Sequence, residues 1–293
     1  MRDLSRIARP SGALAMVAVD QREALRGMFA AHQSAPVPDS QLTQFKVDVA
    51  RELTPYASAL LVDQEFGIDA IVEQNAMSKK SGLIAAADLL SGPKGGAATD
   101  TAVDPDVDPV RMKNIGAVGL KFLVLWRKDE SPEHRLKLVN EFKEYCDKSD
   151  LPSIIEIIVK QPSNPGLAFN REDEIIEAAA EARTWQPDLF KAEVPFHGEG
   201  NLKKVRENAE RISEAIAGPW VVLSNGVKQP NFAEAVQACC QGGASGFLAG
   251  RAIWSDIVGE SDIPAALQEI SVPRLQILGE IVDAYAKPWT SWK

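Results

Sequence analysis

The sequence predicts an α/β fold, a closed TIM-type (β/α)8 barrel with parallel strands, on three observations. Eight short runs of aliphatic and β-branched residues recur along the chain, amphipathic stretches separate most of them, and polar residues gather towards their C-terminal ends. A chain of 293 residues with 45% hydrophobic residues matches the size at which one such barrel uses the whole sequence, so residues 1–293 are expected to form a single domain.

The runs span 13–20, 59–63, 82–88, 119–126, 153–159, 189–195, 220–226 and 246–253. They are apolar almost throughout, as parallel strands covered on both faces should be, rather than alternating as in a half-exposed sheet. Helical spacing over 135–148, 171–182 and 202–217 predicts members of an outer ring of helices. Residues 91–109, rich in Gly, Pro and Asp, read as a loop or lid after the third strand, with a plain solvated loop as the alternative.

A net charge of −9 argues against broad contact with nucleic acid or anionic membranes, so an anionic ligand must meet a local cluster of cations. Residues 1–10 are charged, and nowhere do about 18 apolar residues run together, which predicts a cytoplasmic protein. Cys146, Cys239 and Cys240 form no CxxC pattern and read as reduced.

The polar residues in and just after the runs are Asp20, Asp63, Asp88, Arg127, Glu156, Lys191, Glu193, Ser224 and Arg251. In barrels of this class the C-terminal ends of the strands carry the chemistry. Lys191 lies mid-strand in Phe190-Lys191-Ala192-Glu193, and Lys121 does so in Leu120-Lys121-Phe122. Burying an ammonium is costly, so an interior lysine has either a charge partner or a depressed pKa that frees its amine to attack a carbonyl. Two lysines facing one cavity would depress each other; the alternative is that one or both point outward between helices.

Glu156, in an otherwise aliphatic strand, could pair with a lysine and move protons. Strand alternation places Leu123, Leu125 and Arg127 on the face of Lys121, and Glu193 on the face of Lys191. A purely structural ion-pair network is the competing reading. Ser224-Asn225-Gly226 and Gly250-Arg251 close the seventh and eighth strands, where small residues let backbone N–H groups approach an anion and an arginine fork can grip it. His32, His134 and His197 are scattered, with only His197 near the mouth, so neither a metal nor another cofactor is expected.

Several longer segments carry a resemblance that covers nearly the whole chain: residues 16–23 (MVAVDQRE), 55–59 (PYASA), 72–76 (VEQNA), 123–127 (LVLWR) and 243–252 (GASGFLAGRA). The sequence resembles the sulfofructosephosphate aldolases, a branch of the class I aldolase family that includes tagatose-1,6-bisphosphate aldolases. The resemblance implies a Schiff base on Lys191, assistance from Lys121, acid/base work by Glu156, and substrate contacts by Asp20 and Gln21. It also implies a phosphate of the dihydroxyacetone-phosphate half against Ser224, Gly226, Gly250 and Arg251, and a homo-oligomer. The Trp126-Arg127 pair resembles the sulfosugar branch, which assigns Arg127 to the distal sulfonate. The sequence departs from the family pattern at 161–165, where relatives carry basic residues, and at 196–199. The expected reaction is cleavage of 6-deoxy-6-sulfofructose 1-phosphate. Cleavage of a tagatose or fructose bisphosphate, a phosphosugar-binding barrel without chemistry, and a zinc-dependent enzyme are the rivals.

Overall fold

A computed structural model describes residues 1–292. Ten strands form: β1 Leu14–Ala18, β2 Ala59–Val62, β3 Gly82–Ala86, β4 Asp88–Ser91, β5 Asp100–Val103, β6 Ala117–Trp126, β7 Ser153–Val159, β8 Leu189–Glu193, β9 Trp220–Leu223 and β10 Gly246–Ala249. Eight of them close a parallel barrel in the order β1-β10-β9-β8-β7-β6-β3-β2, as the eight runs predicted. The ring closes because every strand is apolar on both faces. Inward residues such as Leu14, Met16, Leu61, Ile84, Ile154, Leu189, Val221 and Leu248 fill the interior, and Leu4 and Ile7 pack with them. Outward residues meet the helices; Phe122, for example, stacks on Phe142 at 5.4 Å between ring centroids.

The expected helices lie at Pro132–Ser149, Arg171–Trp185 and Leu202–Ile216. Ser131, Asn170 and Asn201 cap them by accepting backbone N–H groups, which satisfies donors that the first turn leaves free. Among the described residues no helix is long and apolar enough to cross a membrane.

Two expectations need correction. The segment 91–109 is not an irregular loop. β4 and β5 pair antiparallel with Asp88 opposite Val103 and Ser91 opposite Asp100, and a short helix follows at Pro109–Asn114. The strands are only four residues long and largely exposed, so backbone pairing defines them where hydrophobic periodicity is too weak to do so. The turn of this hairpin reaches back across the mouth, where Gly95 N–H donates to Glu23 at 3.1 Å. The eighth run also ends early: β10 stops at Ala249, and Arg251 begins a short helix, Arg251–Trp254. A Cβ at Gly250 would meet the Ala18 carbonyl oxygen at 2.3 Å, so this turn against β1 admits only glycine.

Candidate active site

Strand register brings the central residues together. Glu156 on β7 is the register partner of Lys191 on β8, and both point into the barrel, so their side chains lie side by side. Lys191 Nζ donates to Glu156 Oε2 at 2.9 Å. Lys121 on β6 is in register with Ile154, one inward layer below Glu156, and its ammonium reaches up to the same Oε2 at 3.2 Å. Asp20, just past β1, and Asp88, at the start of β4, complete the cage at 2.6 and 2.8 Å from Lys121 Nζ. Asp88 also accepts the backbone N–H of Leu123 at 3.1 Å, which anchors the hairpin base to β6. All five side chains are buried, and Lys191 is 3% exposed.

The electrostatics are set by this cage. Burial opposes the charge on Lys121, but Asp20, Asp88 and Glu156 outweigh it and hold Lys121 well above the usual lysine range. This reverses the expectation that the two lysines would together depress Lys121: three carboxylates are closer to it than sequence alone could show. Burial likewise pushes Asp20 and Glu156 upward, and the two lysines more than offset it, leaving both carboxyls below their usual range. Lys121 therefore keeps its positive charge among three carboxylates, and Glu156 is a carboxylate in hydrogen-bond contact with Lys191.

Around the cage the mouth opens into a cavity of about 350 Å³, within the size range of small-molecule sites. Gln21, Arg22, Lys160, Asn225 and Arg251 contribute to its wall, and the hairpin supplies Leu89–Pro93 and Gly96–Ala98. Arg251 Nη2 donates to the Asn225 side-chain oxygen at 2.6 Å, which fixes the guanidinium at the end of β9 and β10. Ser224, Gly226 and Gly250 shape the turns beside this pair and are not part of the wall itself; Ser224 Oγ accepts from Ala252 N–H at 3.5 Å. Gly226 has φ +75°, and a Cβ there would lie 2.3 Å from His197 Nδ1. His197 thus packs against the Ser224–Gly226 turn.

Arg127, expected at the substrate's far end, also lies outside the cavity wall. Leu123 and Leu125 line it as alternation predicts, but β6 ends at Trp126. Beyond that point the alternation no longer holds, and Arg127 Nη2 reaches the Thr99 carbonyl beside the hairpin at 3.4 Å. Trp126 faces outward, with its indole N–H donating to Glu181 at 2.7 Å. Glu193 also stays out of the wall. It accepts the Val159 N–H at 2.8 Å and pairs with Arg171 at 3.1 Å, bracing the tops of β7 and β8.

Sequence reasoning placed Asn225 only within the anion-binding segment 224–226, and it missed Lys160 and Arg22 as wall residues, and Lys46. Lys160 was accessible to the alternation rule, since 156, 158 and 160 share a face. Arg22 is buried, with Asp88, Glu65 and Asp63 3.5 to 4.0 Å from it. Lys46, on the helix Asp39–Leu53, is fully buried; its ammonium donates to the Val19 and Gln21 carbonyls at 2.7 and 2.8 Å and pairs with Asp63. It clamps the backbone around Asp20, and no local pattern in a helix marks such a residue.

A barrel with a buried lysine, carboxylate and second lysine at its C-terminal mouth has the parts of a carbon–carbon lyase. The profile of the DeoC/LacD family aldolases matches residues 14–256, and the chain belongs to that family. It is 29% identical to a tagatose 1,6-diphosphate aldolase of Staphylococcus haemolyticus, with 100% of this chain and 97% of that protein covered. A tagatose 1,6-diphosphate aldolase 2 of Streptococcus agalactiae is 30% identical, with 99% and 96% covered. Among solved structures, the fold is similar to a fructose-bisphosphate aldolase of Plasmodium falciparum (TM-score 0.68, 12% identity, 96% and 93% covered). It is also similar to an archaeal fructose-1,6-bisphosphate aldolase whose catalytic Lys carries a carbinolamine intermediate (TM-score 0.61, 13% identity, 95% and 97% covered).

Proposed function

We propose that this aldolase is of class I and cleaves 6-deoxy-6-sulfofructose 1-phosphate to dihydroxyacetone phosphate and sulfolactaldehyde through a Schiff base on Lys191. The observation that carries the reading is the buried Lys191 amine 2.9 Å from Glu156, at the floor of a cavity edged by Arg251. The Lys191 amine adds to the C2 ketone, and loss of water gives the iminium. A base takes the proton of the C4 hydroxyl, the C3–C4 bond breaks, and its electron pair flows into the iminium to leave an enamine. Protonation at C3 and hydrolysis then release dihydroxyacetone phosphate and restore the amine. Glu156 relays these protons, Lys121 holds its charge in place, Asp20 contacts substrate hydroxyls with Gln21, and Arg251 anchors the C1 phosphate.

A second reading keeps the mechanism and takes tagatose or fructose 1,6-bisphosphate; the names of the relatives favour it. The resemblance of residues 123–127 to the sulfosugar branch favours the sulfonate instead. Borohydride reduction with dihydroxyacetone phosphate, followed by peptide mapping, should place the adduct on Lys191; a chain that only binds phosphosugars would gain no covalent mass. Specificity constants measured side by side on the sulfonate and the bisphosphates decide the substrate, and equal or better use of a bisphosphate overturns the sulfonate assignment.

A further inference from the structure

We infer that Lys160, not Arg127, is the residue that selects the charge at the substrate's far end. The inference rests on the aldolase reading above, in which the C1 phosphate lies against Arg251 and C2 is joined to Lys191.

Three observations carry it. First, the direction of Lys160 is set by the barrel. Its N–H donates to the Trp126 carbonyl at 2.8 Å, which continues the β6–β7 ladder one residue past Val159 and keeps Lys160 on the inward face with Glu156 and Ile158. Second, its charge is available. Of the cavity cations, Arg22 faces Asp63, Glu65 and Asp88, Lys121 sits among three carboxylates, and Lys191 pairs with Glu156. Among the described residues, Lys160 and Arg251 line the cavity without a carboxylate in salt-bridge range.

Third, the two lie in the right order around the ring. Arg251 follows β10 and Lys160 follows β7, with β9 and the Lys191 strand β8 between them. A chain anchored at Arg251 and bonded to Lys191 therefore extends towards Lys160. Four strand residues place Lys160 about 13 Å along the strand direction from Glu156, at about 3.3 Å per residue. The far carbons of a hexose and the reach of a lysine side chain fill that distance together. One ammonium suits a singly charged sulfonate better than a phosphate dianion.

The test compares three ketose 1-phosphates that share the reacting half: fructose 1-phosphate with a neutral C6 hydroxyl, the C6 sulfonate and the C6 phosphate. The preference of Lys160→Ala for the sulfonate over fructose 1-phosphate, as a ratio of kcat/KM, should fall about 10- to 100-fold relative to wild type, the loss of one charge-assisted contact. Lys160→Arg should restore most of that ratio, while Arg127→Ala should leave it within about threefold, since its guanidinium lies outside the wall. Borohydride trapping of dihydroxyacetone phosphate, which has no far end, checks that Lys160→Ala is folded and competent. An unchanged ratio in a variant that still traps the adduct overturns the role of Lys160 alone. A loss carried by Arg127→Ala overturns it in favour of the residue first expected. No adduct in the wild-type protein overturns both this inference and the aldolase reading.

Discussion

Replacing Lys121 with methionine tests the electrostatic core of the site. Methionine nearly matches the volume of lysine, so packing changes little and the perturbation is the removal of one charge. That charge lies 2.6, 2.8 and 3.2 Å from Asp20, Asp88 and Glu156, all buried. Breaking a buried ion pair by removing one partner costs about 3–5 kcal/mol, because the remaining charge is left uncompensated. An unfolding entropy of about 2.1 cal/mol/K per residue gives this chain roughly 0.6 kcal/mol/K, so the loss lowers Tm by about 5–8 °C.

The deficit should depend on pH. In the wild type Asp20 and Glu156 are held below their usual range, so the stability they contribute is complete above their unfolded pKa and is lost as pH falls. Without Lys121, burial acts against a weaker opposing charge and their folded pKa values rise. The carboxylates then cost stability at neutral pH, and the cost fades as they take up protons. Thermal unfolding of both proteins at about pH 8 and about pH 5 should show the Tm gap narrowing at the lower pH. A gap below about 2 °C at the higher pH, or one that is the same at both, would refute the charge argument.

Three further outcomes follow from the same geometry. Glu156→Gln should lower kcat about 10²- to 10⁴-fold while the borohydride adduct on Lys191 still forms; a kcat within tenfold of wild type in steady-state assays would remove Glu156 from proton transfer. Arg251→Ala should raise KM for a ketose 1-phosphate about 10- to 100-fold with little change in kcat. Its partner Asn225 is neutral, so calorimetry should find Tm almost unmoved. Gly226→Ala forces a side chain into left-handed backbone beside His197, costing about 1–2 kcal/mol before the clash is counted. The added His197→Ala change should return part of the lost Tm, and no return would mean that the histidine is not what the new Cβ meets.

Much of the fold and part of the site were legible along the chain. Apolar runs on two-sided strands gave the barrel its eight members, and polar residues inside those runs pointed to Lys121, Glu156 and Lys191. The same alternation failed at Arg127, because a pleat has meaning only while the ladder lasts and β6 ends at Trp126. It would have succeeded at Lys160, where one more backbone hydrogen bond extends β7. The hairpin of β4 and β5 was missed because short exposed strands carry almost no hydrophobic signal, although its residues roof the cavity. Lys46 was missed for a different reason: a lysine on an amphipathic helix is expected in solvent, and only docking against β1 and β2 buries it.

What the chain by itself determined was the class of architecture and the chemical types at its mouth, since both follow from local periodicity and from the cost of placing charge in apolar strands. Which charges meet was decided only by closure of the ring. Residues 20, 88, 121, 156 and 191 are far apart in sequence, yet register and barrel closure link them through separations of 2.6 to 3.2 Å. At that range the sign of a pKa shift depends on distance and burial, neither of which composition contains.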